Sequence, residues 1–564
     1  MQGKLVLQGI HYVIYRGQER LSVKSSLISQ LIPGDEVVYT VSAENQALIT
    51  DLTSVMRTPQ TTLAIVRGLT PHTLYLFCPL LGPLYNPAIP NDDYEIHVGD
   101  RFLVRLPENP AALPLLLDPF ASVYDRTGDL NALIIPYKCY SIPPPFKPAF
   151  KETPLYTKEP QAHLDASTFS IDPEGCLDAD DAISIFPSEN RVLIHIVDIA
   201  SLLTDAGTES IAAGQAFTLY LPNKDTHLLP ESLATGLWSL KPGVPRKVIT
   251  VDVRFEEGTT KVKSYDIYQD TIISTAAYTY EEAEEFIRTA SNPEFAYIQT
   301  LMSLFPSKKS LCIPQLQITV DPKTGQLTSF KTTTNTDIAH KFIEQMMILA
   351  NTIVSQHLST HQQTKELYAR IPQRFHSTGR TLVEVDTPIP LSPTVQSFLA
   401  IKQFAAAKYS AQDQGHFGLG LTSYTHFTSP LRRYFDVLIH RLLAGSVYDA
   451  KGLDLLLEHI NVQERKVEAL QRLHHKWKLC SYLKKGLLFE GILTAINKAG
   501  AYFLIEDIMT DGFLHVSRLG SKRWTFDGTC LKAADTVLQV GSRISVRIED
   551  VNQVMHTIEF SGIC

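Results

Sequence analysis

Hydrophobic and polar residues alternate in short stretches over the first part of the chain, as they do in half-buried β-strands. Five such stretches occupy residues 4–7, 11–15, 37–41, 47–51 and 63–66. Turn-forming residues separate them, namely Gly17, the run Pro33-Gly34-Asp35 and Asn45. The pattern predicts a small β-barrel of the OB or cold-shock kind over residues 1–68, although any small β-domain would show the same alternation.

A second β-rich unit is predicted over residues 69–150, with strands at 101–105 and 132–135. Residues 136–160 are predicted to form a linker, because closely spaced prolines resist helix and favour extended chain. Pro136 and Pro160 bound this segment, and five linker prolines lie between them, namely Pro143, Pro144, Pro145, Pro148 and Pro154.

The pattern becomes mixed over residues 151–485. Residues 195–200 are predicted to form a buried strand, and residues 337–357 a helix whose apolar residues recur at helical spacing. Residues 453–483 predict another helix, mixed in charge, and over residues 486–564 short strands and glycine turns return. The chain is therefore predicted to be a multidomain α+β protein, with two N-terminal β-barrels, a central mixed α/β domain and a C-terminal β-barrel.

Composition limits the class of protein. A chain of 564 residues and 63.0 kDa, with 44% hydrophobic and 20% charged residues, is expected to form several globular domains. The net charge of −8 argues against a basic, nonspecific nucleic-acid coat but permits a local basic channel. None of the seven cysteines forms a Cys-x-x-Cys pair, which excludes the common zinc-ribbon spacings and fits a reducing compartment.

No signal peptide is expected, because no long apolar core follows the first residues, and no apolar run approaches the roughly 20 residues of a membrane span. We therefore expect a cytoplasmic protein without membrane contact.

The candidate chemistry is concentrated in residues 170–183, where Asp172, Asp178, Asp180 and Asp181 lie between apolar, strand-like flanks. Carboxylates this close raise one another's pKa unless a cation neutralises them, and hard oxygen ligands suit Mg²⁺ or Mn²⁺. A solvated acidic turn is the common alternative. A calcium loop is a second one, but the spacing and the central glycine of an EF-hand are missing.

A second candidate segment runs from residue 415 to residue 441. Ser429 followed by Pro430 predicts a helix start, which would place Arg432 and Arg433 in the first turn, where phosphate is also attracted. A solvated arginine pair is the alternative. His340 and Glu344 have the spacing of a metal pair, although surface pairing is the commoner use of that spacing.

These segments together resemble the RNase II/RNase R (RNB) family of 3′→5′ exoribonucleases. The resemblance rests on Ile-Asp-Pro at 171–173 with Asp-x-Asp-Asp-Ala at 178–182, on the Tyr-Leu-Pro and Ser-Leu-x-Pro-Gly blocks at 220–222 and 239–243, and on Tyr-x-His-Phe-Thr-Ser-Pro-x-Arg-Arg-Tyr at 424–434. Gly-Phe-Leu-His-Val-Ser at 512–517 resembles an S1 domain, and Gly-His-Phe-Gly-Leu at 415–419 is closer to the RNase R and exosome-nuclease branch. The resemblance covers nearly the whole chain. It implies cold-shock-like OB domains at 1–68 and 69–150, an RNB nuclease domain at 151–485 and an S1 RNA-binding domain at 486–564.

The resemblance also implies a processive, metal-dependent exoribonuclease that hydrolyses single-stranded RNA to nucleoside 5′-monophosphates. The implied cofactor is two Mg²⁺ ions, for which Mn²⁺ could substitute. Asp172, Asp178 and Asp181 would hold the ions. Asp180 would complete the cluster and assist the attacking water, and Arg432 would clamp the phosphate. We expect a monomer, and we expect His426 and His440 to be structural or to contact RNA.

The resemblance implies that Tyr220 is a stacking platform at the 3′ end of the RNA. It also implies that Tyr280 lies near the scissile phosphate and has a catalytic role. Arg432 and Arg433 would bind the RNA as well. The S1 face would offer Tyr502, Phe503, Phe513 and His515, of which only two are expected to reach RNA. The chain departs from the family at Gln345, where a second glutamate is usual, and just before Tyr280. An RNA-binding pseudonuclease that keeps the fold is the main alternative, and a small-molecule phosphoesterase a more distant one.

Overall fold

The structure is a computed structural model, and it describes residues 1–563 apart from 9–10, 17–18, 25–26, 28–30, 43–46, 58–59, 83–84, 92–94, 140–149, 152, 306–313, 335–336, 364–370, 378–386, 388, 413–414, 521 and 535. Gly17, Asn45 and four of the five linker prolines fall outside the described residues.

The first domain is a closed five-stranded barrel with the strand order β1-β2-β3-β5-β4. Its strands are β1 (Gln2–Gln8), β2 (His11–Arg16), β3 (Glu19–Val23), β4 (Glu36–Val41) and β5 (Leu48–Met56). Inward-facing Leu5, Ile14 and Tyr39 are fully buried in it. The predicted barrel is confirmed, but the strand predicted at 63–66 belongs to the next sheet, and β3 supplies the missing one. Alternation identifies a strand but not the sheet that it joins.

The second domain is a five-stranded sheet with the order β10-β9-β6-β7-β8. Its elements are β6 (Gln60–Thr70), β7 (Thr73–Phe77), β8 (Ala88–Pro90), β9 (Arg101–Leu106), β10 (Leu115–Phe120) and helix α1 (Asp129–Cys139). The strand predicted at 132–135 is wrong, since these residues lie in α1, and Pro136 also lies in α1 rather than in a linker. A run of four apolar residues fits a buried helix as well as a strand.

The central domain is built on a six-stranded sheet with the order β18-β17-β14-β13-β12-β19. Its neighbours are antiparallel except β12 and β19, which run parallel. Ile194, Ile196 and Val251 of this sheet are fully buried in the largest hydrophobic core. The strands of the domain are β11 (Phe150–Lys151), β12 (Thr168–Asp172), β13 (Asp181–Phe186), β14 (Arg191–Val197), β15 (Leu219–Leu221), β16 (Lys224–Thr226), β17 (Pro245–Phe255), β18 (Val262–Ile273), β19 (Ala276–Thr279), β20 (Gln315–Val320), β21 (Leu327–Thr333), β22 (Gln373–Phe375), β23 (Lys408–Ser410) and β24 (Ser446–Val447).

The helices of this domain extend its core, except α7, which packs against the last domain. They are α2 (Ile199–Leu202), α3 (Ala206–Gln215), α4 (Tyr280–Thr289), α5 (Pro293–Leu304), α6 (Ile338–Gln363), α7 (Pro393–Ile401), α8 (Tyr434–Leu443) and α9 (Ala450–Tyr482). The helices predicted at 337–357 and 453–483 are confirmed as α6 and α9. The buried strand predicted at 195–200 is β14, which ends at Val197 because Asp198 caps α2 instead.

The last domain contains a five-stranded sheet with the order β27-β26-β25-β31-β32 and a three-stranded sheet β28-β29-β30. The strands are β25 (Leu488–Asn497), β26 (Gly500–Ile505), β27 (Thr510–His515), β28 (Thr525–Phe526), β29 (Leu531–Ala533), β30 (Thr536–Leu538), β31 (Arg543–Asn552) and β32 (Thr557–Ile563). Leu479 and Leu483 from the end of α9 pack into its core. None of the helices among the described residues combines the length and apolarity that crossing a membrane requires.

Candidate active site

The acidic cluster lies at one edge of the central sheet. Strand β12 ends at Asp172, and β13, its antiparallel neighbour, begins at Asp181, so the loop between them starts and finishes at the same edge. Strand β19 runs parallel to β12 on the other side and pairs Thr279 with Asp172, which brings Tyr280 to that edge. The sheet register therefore gathers residues from separate parts of the chain.

The carboxylates of this cluster are buried or partly buried, and burial is the main reason that the pKa values of three of them rise. Asp180 is 4% exposed, and its pKa lies well above the usual range because burial and the charges of Asp178 and Asp181 outweigh Arg432. Burial and the charge of Asp172 raise the pKa of Asp181 to about 8. Burial also raises the pKa of Asp172. The cluster thus favours a bound cation, which would offset the cost of ionising it.

Asp180 is held by the turn that precedes α8. The backbone N–H of Leu431 donates to Asp180 Oδ1 at 2.7 Å, and Arg432 Nε lies 3.4 Å from Asp180 Oδ2. Arg432 also donates to Ser429 Oγ, and its side chain is 43% exposed. A half-exposed guanidinium therefore stands beside a buried carboxylate.

The predicted helix start at Ser429 is wrong. The Ser429 carbonyl accepts N–H bonds from Arg432 and Arg433 in a turn, and α8 begins at Tyr434. The Leu431 N–H that a helix would leave for a cap is used instead to bind Asp180. A contact 251 residues away in sequence thus overrides a good local helix signal.

Asp178 is held by the β15–β16 hairpin and the residue after it. The hydroxyl of Tyr220 donates to Asp178 Oδ2 at 2.7 Å, and His227 Nδ1 lies 3.6 Å from the same oxygen. The His227 side chain is 8% exposed, and its Nδ1 has no hydrogen-bond partner among the described residues. The predicted stacking residue Tyr220 therefore contacts a carboxylate of the cluster directly.

The loop between Asp172 and Asp181 is fixed by two further contacts that sequence reasoning missed. Ser239 Oγ accepts the N–H of Ala179 at 3.1 Å, which explains a serine in the Ser-Leu-x-Pro-Gly block. Cys176 Sγ lies 3.7 Å from Asp172 Oδ1 and 3.9 Å from Asp178 Oδ1. In the sequence, Ser239 could be noticed only as part of the Ser-Leu-x-Pro-Gly block and Cys176 only as a residue between the aspartates. Nothing in the sequence indicated His227.

Tyr280 is the first residue of α4, directly after a capping box formed by Thr279 and Glu282. Burial raises the Tyr280 pKa, with smaller contributions from the charges of Asp181 and Asp172. Its ring stacks on His340, whose Nδ1 lies 2.7 Å from Asp337 Oδ2. His340 therefore pairs with Asp337, and neither the metal pair nor the surface pair considered for His340 with Glu344 is formed.

Three residues of the second candidate segment are bound to neighbouring protein groups, and His440 among them is fully buried. Arg433 is bound through Nε to buried Asp436, at 3.0 and 2.8 Å from its two oxygens. His426 Nδ1 lies 3.0 Å from the Tyr409 hydroxyl, and His440 Nε2 lies 2.9 Å from the Phe427 carbonyl. Burial lowers the pKa of both histidines. All three side chains contribute to the framework around Arg432, and RNA contact by Arg433 stays a prediction.

On the S1 domain, Tyr502 and Phe513 are paired across β26 and β27, with ring centroids 4.8 Å apart. Both are exposed, whereas Phe503 is fully buried in the core. His515 is also exposed, with Nδ1 at 2.9 Å from Ser517 Oγ. Two adjacent aromatic rings and one imidazole are thus available on this surface.

The donor set fits a hard divalent cation by its chemistry, because four aspartates supply only oxygen ligands. Among the described residues, however, no group of three or more histidine, cysteine, aspartate or glutamate side chains is arranged so that it could hold a metal ion. Cation binding at this site would therefore require some of the aspartate side chains to turn toward the ion.

Known proteins resemble the chain in both sequence and fold. An RNB domain model matches residues 163–448, and an S1 RNA binding domain model matches residues 482–561. Ribonuclease R of Aquifex aeolicus is 28% identical over 451 residues, which span 70% of this chain and 64% of that protein. Ribonuclease R of Chlamydia muridarum is 24% identical over 588 residues, spanning 93% and 82%. The chain thus spans just under two thirds of the Aquifex protein.

Two solved structures share the fold. Mycoplasma genitalium RNase R, in complex with ribose-methylated single-stranded RNA, superimposes with a TM-score of 0.77 at 19% identity, covering 100% of both chains. Yeast Ssd1, described as a pseudonuclease, superimposes with a TM-score of 0.73 at 16% identity, covering 98% of this chain and 82% of that one. The predicted arrangement of N-terminal β-barrels, central domain and S1 domain is confirmed.

Proposed function

Since the chain belongs to the RNB family of 3′→5′ exoribonucleases, we propose that it hydrolyses single-stranded RNA processively from the 3′ end and releases nucleoside 5′-monophosphates. One observation carries this proposal. Four aspartates occupy one sheet edge beside the half-exposed guanidinium of Arg432; Asp178 and Asp180 are buried, and Asp172 and Asp181 are partly buried. Such a site offers negative charge for cations and a positive group for the phosphate between them.

Asp172, Asp178 and Asp181 would hold Mg²⁺ or Mn²⁺, with Asp180 completing the cluster. Two such ions supply activation of water and stabilisation of the leaving oxygen in phosphodiester hydrolysis. Tyr220 keeps Asp178 oriented through its hydroxyl, and Leu431 does the same for Asp180 through its N–H. In this proposal Asp180 also accepts the proton of the attacking water.

Arg432 would bind the scissile phosphate. Its guanidinium is fixed by Ser429 and by Asp180, so little side-chain entropy remains to be lost when RNA binds. A guanidinium can donate two parallel hydrogen bonds to phosphate and stabilise charge that develops during displacement. Arg433, paired with Asp436, helps to fix the turn that carries Arg432.

The S1 domain would hold the RNA upstream of the site. Tyr502 and Phe513 present exposed rings on which bases can stack, with a contribution of roughly 1–3 kcal/mol per base. Because backbone contacts release counterions, RNA binding should weaken as salt increases. We further propose that the protein acts as a monomer in a reducing compartment.

A second candidate is an RNA-binding protein without cleavage activity. The likeness to Ssd1 favours it, because that protein is described as a pseudonuclease and shares the fold. The four aspartates and Arg432 weigh against it, since an inactive protein has no need of a charged, buried cluster that costs folding energy.

The two candidates differ in the fate of a 5′-labelled single-stranded RNA. We would incubate it with the wild type and with Asp180→Asn, with Mg²⁺ and with EDTA, and follow the products on a gel. The exonuclease trims the RNA progressively to a short labelled end-product, and EDTA or Asp180→Asn abolishes trimming.

Asp165→Asn, the same change at an exposed aspartate before β12, is the matched control and should cleave like the wild type. RNA that is bound but left intact by the wild type in Mg²⁺ and in Mn²⁺ would establish the binding protein instead. Chromatography of the mononucleotides released from uniformly labelled RNA identifies whether the 5′ or the 3′ oxygen carries the phosphate.

A further inference from the structure

Two aromatic rings meet face to face beside the acidic cluster. The ring centroids of Tyr280 and His340 lie 3.6 Å apart, with 9° between the ring planes. The two residues come from different helices, since Tyr280 begins α4 and His340 lies in the first turn of α6. The contact covers one face of the Tyr280 ring, so that face is closed to a nucleobase.

The imidazole of His340 is itself held in place. Asp337 accepts the backbone N–H of His340 at 2.9 Å through Oδ1 and lies 2.7 Å from Nδ1 through Oδ2. One carboxylate therefore fixes both the start of α6 and the plane of the imidazole ring. Glu284 of α4 accepts the N–H of Ala339 at 2.9 Å, which ties the two helix starts together.

The other end of the Tyr280 side chain is directed at the acidic cluster. Thr279 pairs with Asp172 across β19 and β12, so the next residue emerges at the sheet edge that carries the aspartates. The charges of Asp181 and Asp172 both contribute to the raised Tyr280 pKa, which places the hydroxyl within their electrostatic reach. No hydrogen bond of the Tyr280 hydroxyl is found among the described residues, and none contributes to its pKa shift, so the hydroxyl can donate to an incoming phosphate.

We propose that His340 and Asp337 are positioning residues, which hold the Tyr280 ring so that its hydroxyl donates to the phosphodiester being cleaved. His340 supplies a flat surface that fixes the ring plane, and Asp337 fixes His340. The inference rests on the proposed exonuclease function, because it assigns a phosphate to the hydroxyl. It differs from a stacking role for Tyr280, since the covered face cannot bind a base.

A double-mutant cycle tests the inference. We would measure the single-turnover rate of RNA cleavage for the wild type, Tyr280→Phe, His340→Ala and the double variant, at saturating enzyme. Loss of one hydrogen bond to a charged group corresponds to a rate lower by about 10- to 100-fold. If His340 acts through the hydroxyl, His340→Ala slows the wild type but adds little to Tyr280→Phe, because the group it positions has been removed.

A further variant separates positioning from simple destabilisation. His340→Phe keeps a flat ring at that position and should restore most of the rate lost in His340→Ala. Rate reductions that multiply in the double variant would overturn the inference, as would a His340→Phe variant as slow as His340→Ala or a His340→Ala variant that cleaves at the wild-type rate.

Failure of the inference can be told from failure of the proposed function. A wild type that leaves RNA intact contradicts the function itself and also removes the basis of the inference. A wild type that cleaves, with multiplicative effects in the cycle, contradicts only the roles of His340 and Asp337. RNA affinity measured in the Asp180→Asn background should change less than threefold on His340→Ala, and a loss as large as the rate loss would instead indicate a binding role.

Discussion

At the scale of single residues, the proposal of a cation site can be followed at the carboxylate of Asp178. Oδ2 accepts the Tyr220 hydroxyl and lies near His227, whereas the one donor found near Oδ1 among the described residues is the weak donor Cys176 Sγ at 3.9 Å. One oxygen is thus fixed by the surrounding protein and the other is left for a ligand. This division of the two oxygens is typical of carboxylates that bind metal ions.

Tyr220→Phe should therefore weaken metal binding. The substitution keeps the ring and removes the hydrogen bond that orients Asp178, and loss of such an outer partner costs about 10-fold or more in metal affinity. Calorimetric titration of the RNA-free protein with Mn²⁺ measures the affinity directly. Tyr75→Phe, at an exposed tyrosine of β7, is the control, and equal affinities in all three proteins would contradict the role of Tyr220.

At the scale of elements, the strand pair β26 and β27 of the S1 domain has one exposed aromatic face and one face in the core. Consecutive residues of β26 lie on opposite faces, since Tyr502 is exposed beside Phe513 whereas Phe503 is buried against Phe560. The period of two in a strand produces this separation. A substitution on one face should therefore change RNA affinity, and a substitution on the other should change stability.

Tyr502→Ala combined with Phe513→Ala should lower the affinity for single-stranded RNA by roughly 1–3 kcal/mol per stacked base, with little change in the melting temperature. Fluorescence anisotropy with the Asp180→Asn protein measures binding without cleavage. Phe503→Ala is the contrasting variant, since removal of a buried phenyl ring costs about 3–5 kcal/mol of stability. Unchanged RNA affinity in the double variant would exclude this face as a binding surface.

At the scale of the whole molecule, helix α9 connects all four domains. Glu458 of α9 pairs with Lys4 of the first barrel, and Lys478 of α9 pairs with Asp129 of the second domain. Gln471 of α9 donates to the carbonyl of Tyr220 in the central domain. Its Trp477 donates to His556 of the S1 domain. The exposed Lys4 pair contributes little stability, whereas the contacts near Lys478 are buried.

Asp129 is the carboxylate that a buried basic cluster shares. Arg101 and Lys478 both bind it at 2.6 Å, and Arg126 lies 3.9 Å away. Removing its charge takes from three buried cations the one carboxylate that lies within 4 Å of them among the described residues. Asp129→Asn should therefore destabilise the protein by about 3–5 kcal/mol, visible as a lower melting temperature. Asp118→Asn, at an exposed position of β10, should melt like the wild type, and an unchanged Asp129→Asn protein would contradict the prediction.

A buried histidine of α9 predicts sensitivity to acid. His474 is fully buried, its two ring nitrogens have no hydrogen-bond partner among the described residues, and burial lowers its pKa from 6.5 to about 3. In the unfolded chain this histidine is protonated below about pH 6.5, whereas in the folded chain it is protonated only near pH 3. The stability that the neutral His474 contributes is therefore fully present above the pKa of the unfolded chain and is lost as the pH falls toward the pKa of the folded chain.

His474→Leu should remove that share of the acid sensitivity. The difference in free energy of unfolding between pH 7.5 and pH 4.5 should shrink by about 3 kcal/mol, since the slope is about 1.4 kcal/mol per pH unit over the two units below the unfolded pKa. Urea unfolding at the two pH values measures it. His72→Leu, at an exposed histidine, is the control, and an undiminished pH difference in His474→Leu would show that other groups cause the acid loss.

The sequence alone determined the family, the four aspartates, the S1 domain and helices α6 and α9. These features depend on residue types at fixed spacings, and such patterns can be recognised from the sequence without knowledge of the fold. The local patterns were misleading at 132–135, at 63–66 and at Ser429. In each case a short segment satisfied two conformations or two partners, and packing against distant residues decided between them.

Only the tertiary structure could decide which side chains surround the carboxylates. Tyr220 and His227 reach Asp178 from 42 and 49 residues away, Ser239 reaches Ala179 from 60, and Leu431 reaches Asp180 from 251. The pairing of Tyr280 with His340 likewise depends on where two helices begin. The physical reason is that residue spacing specifies neighbours within one element, whereas contacts between elements follow from sheet register and helix packing.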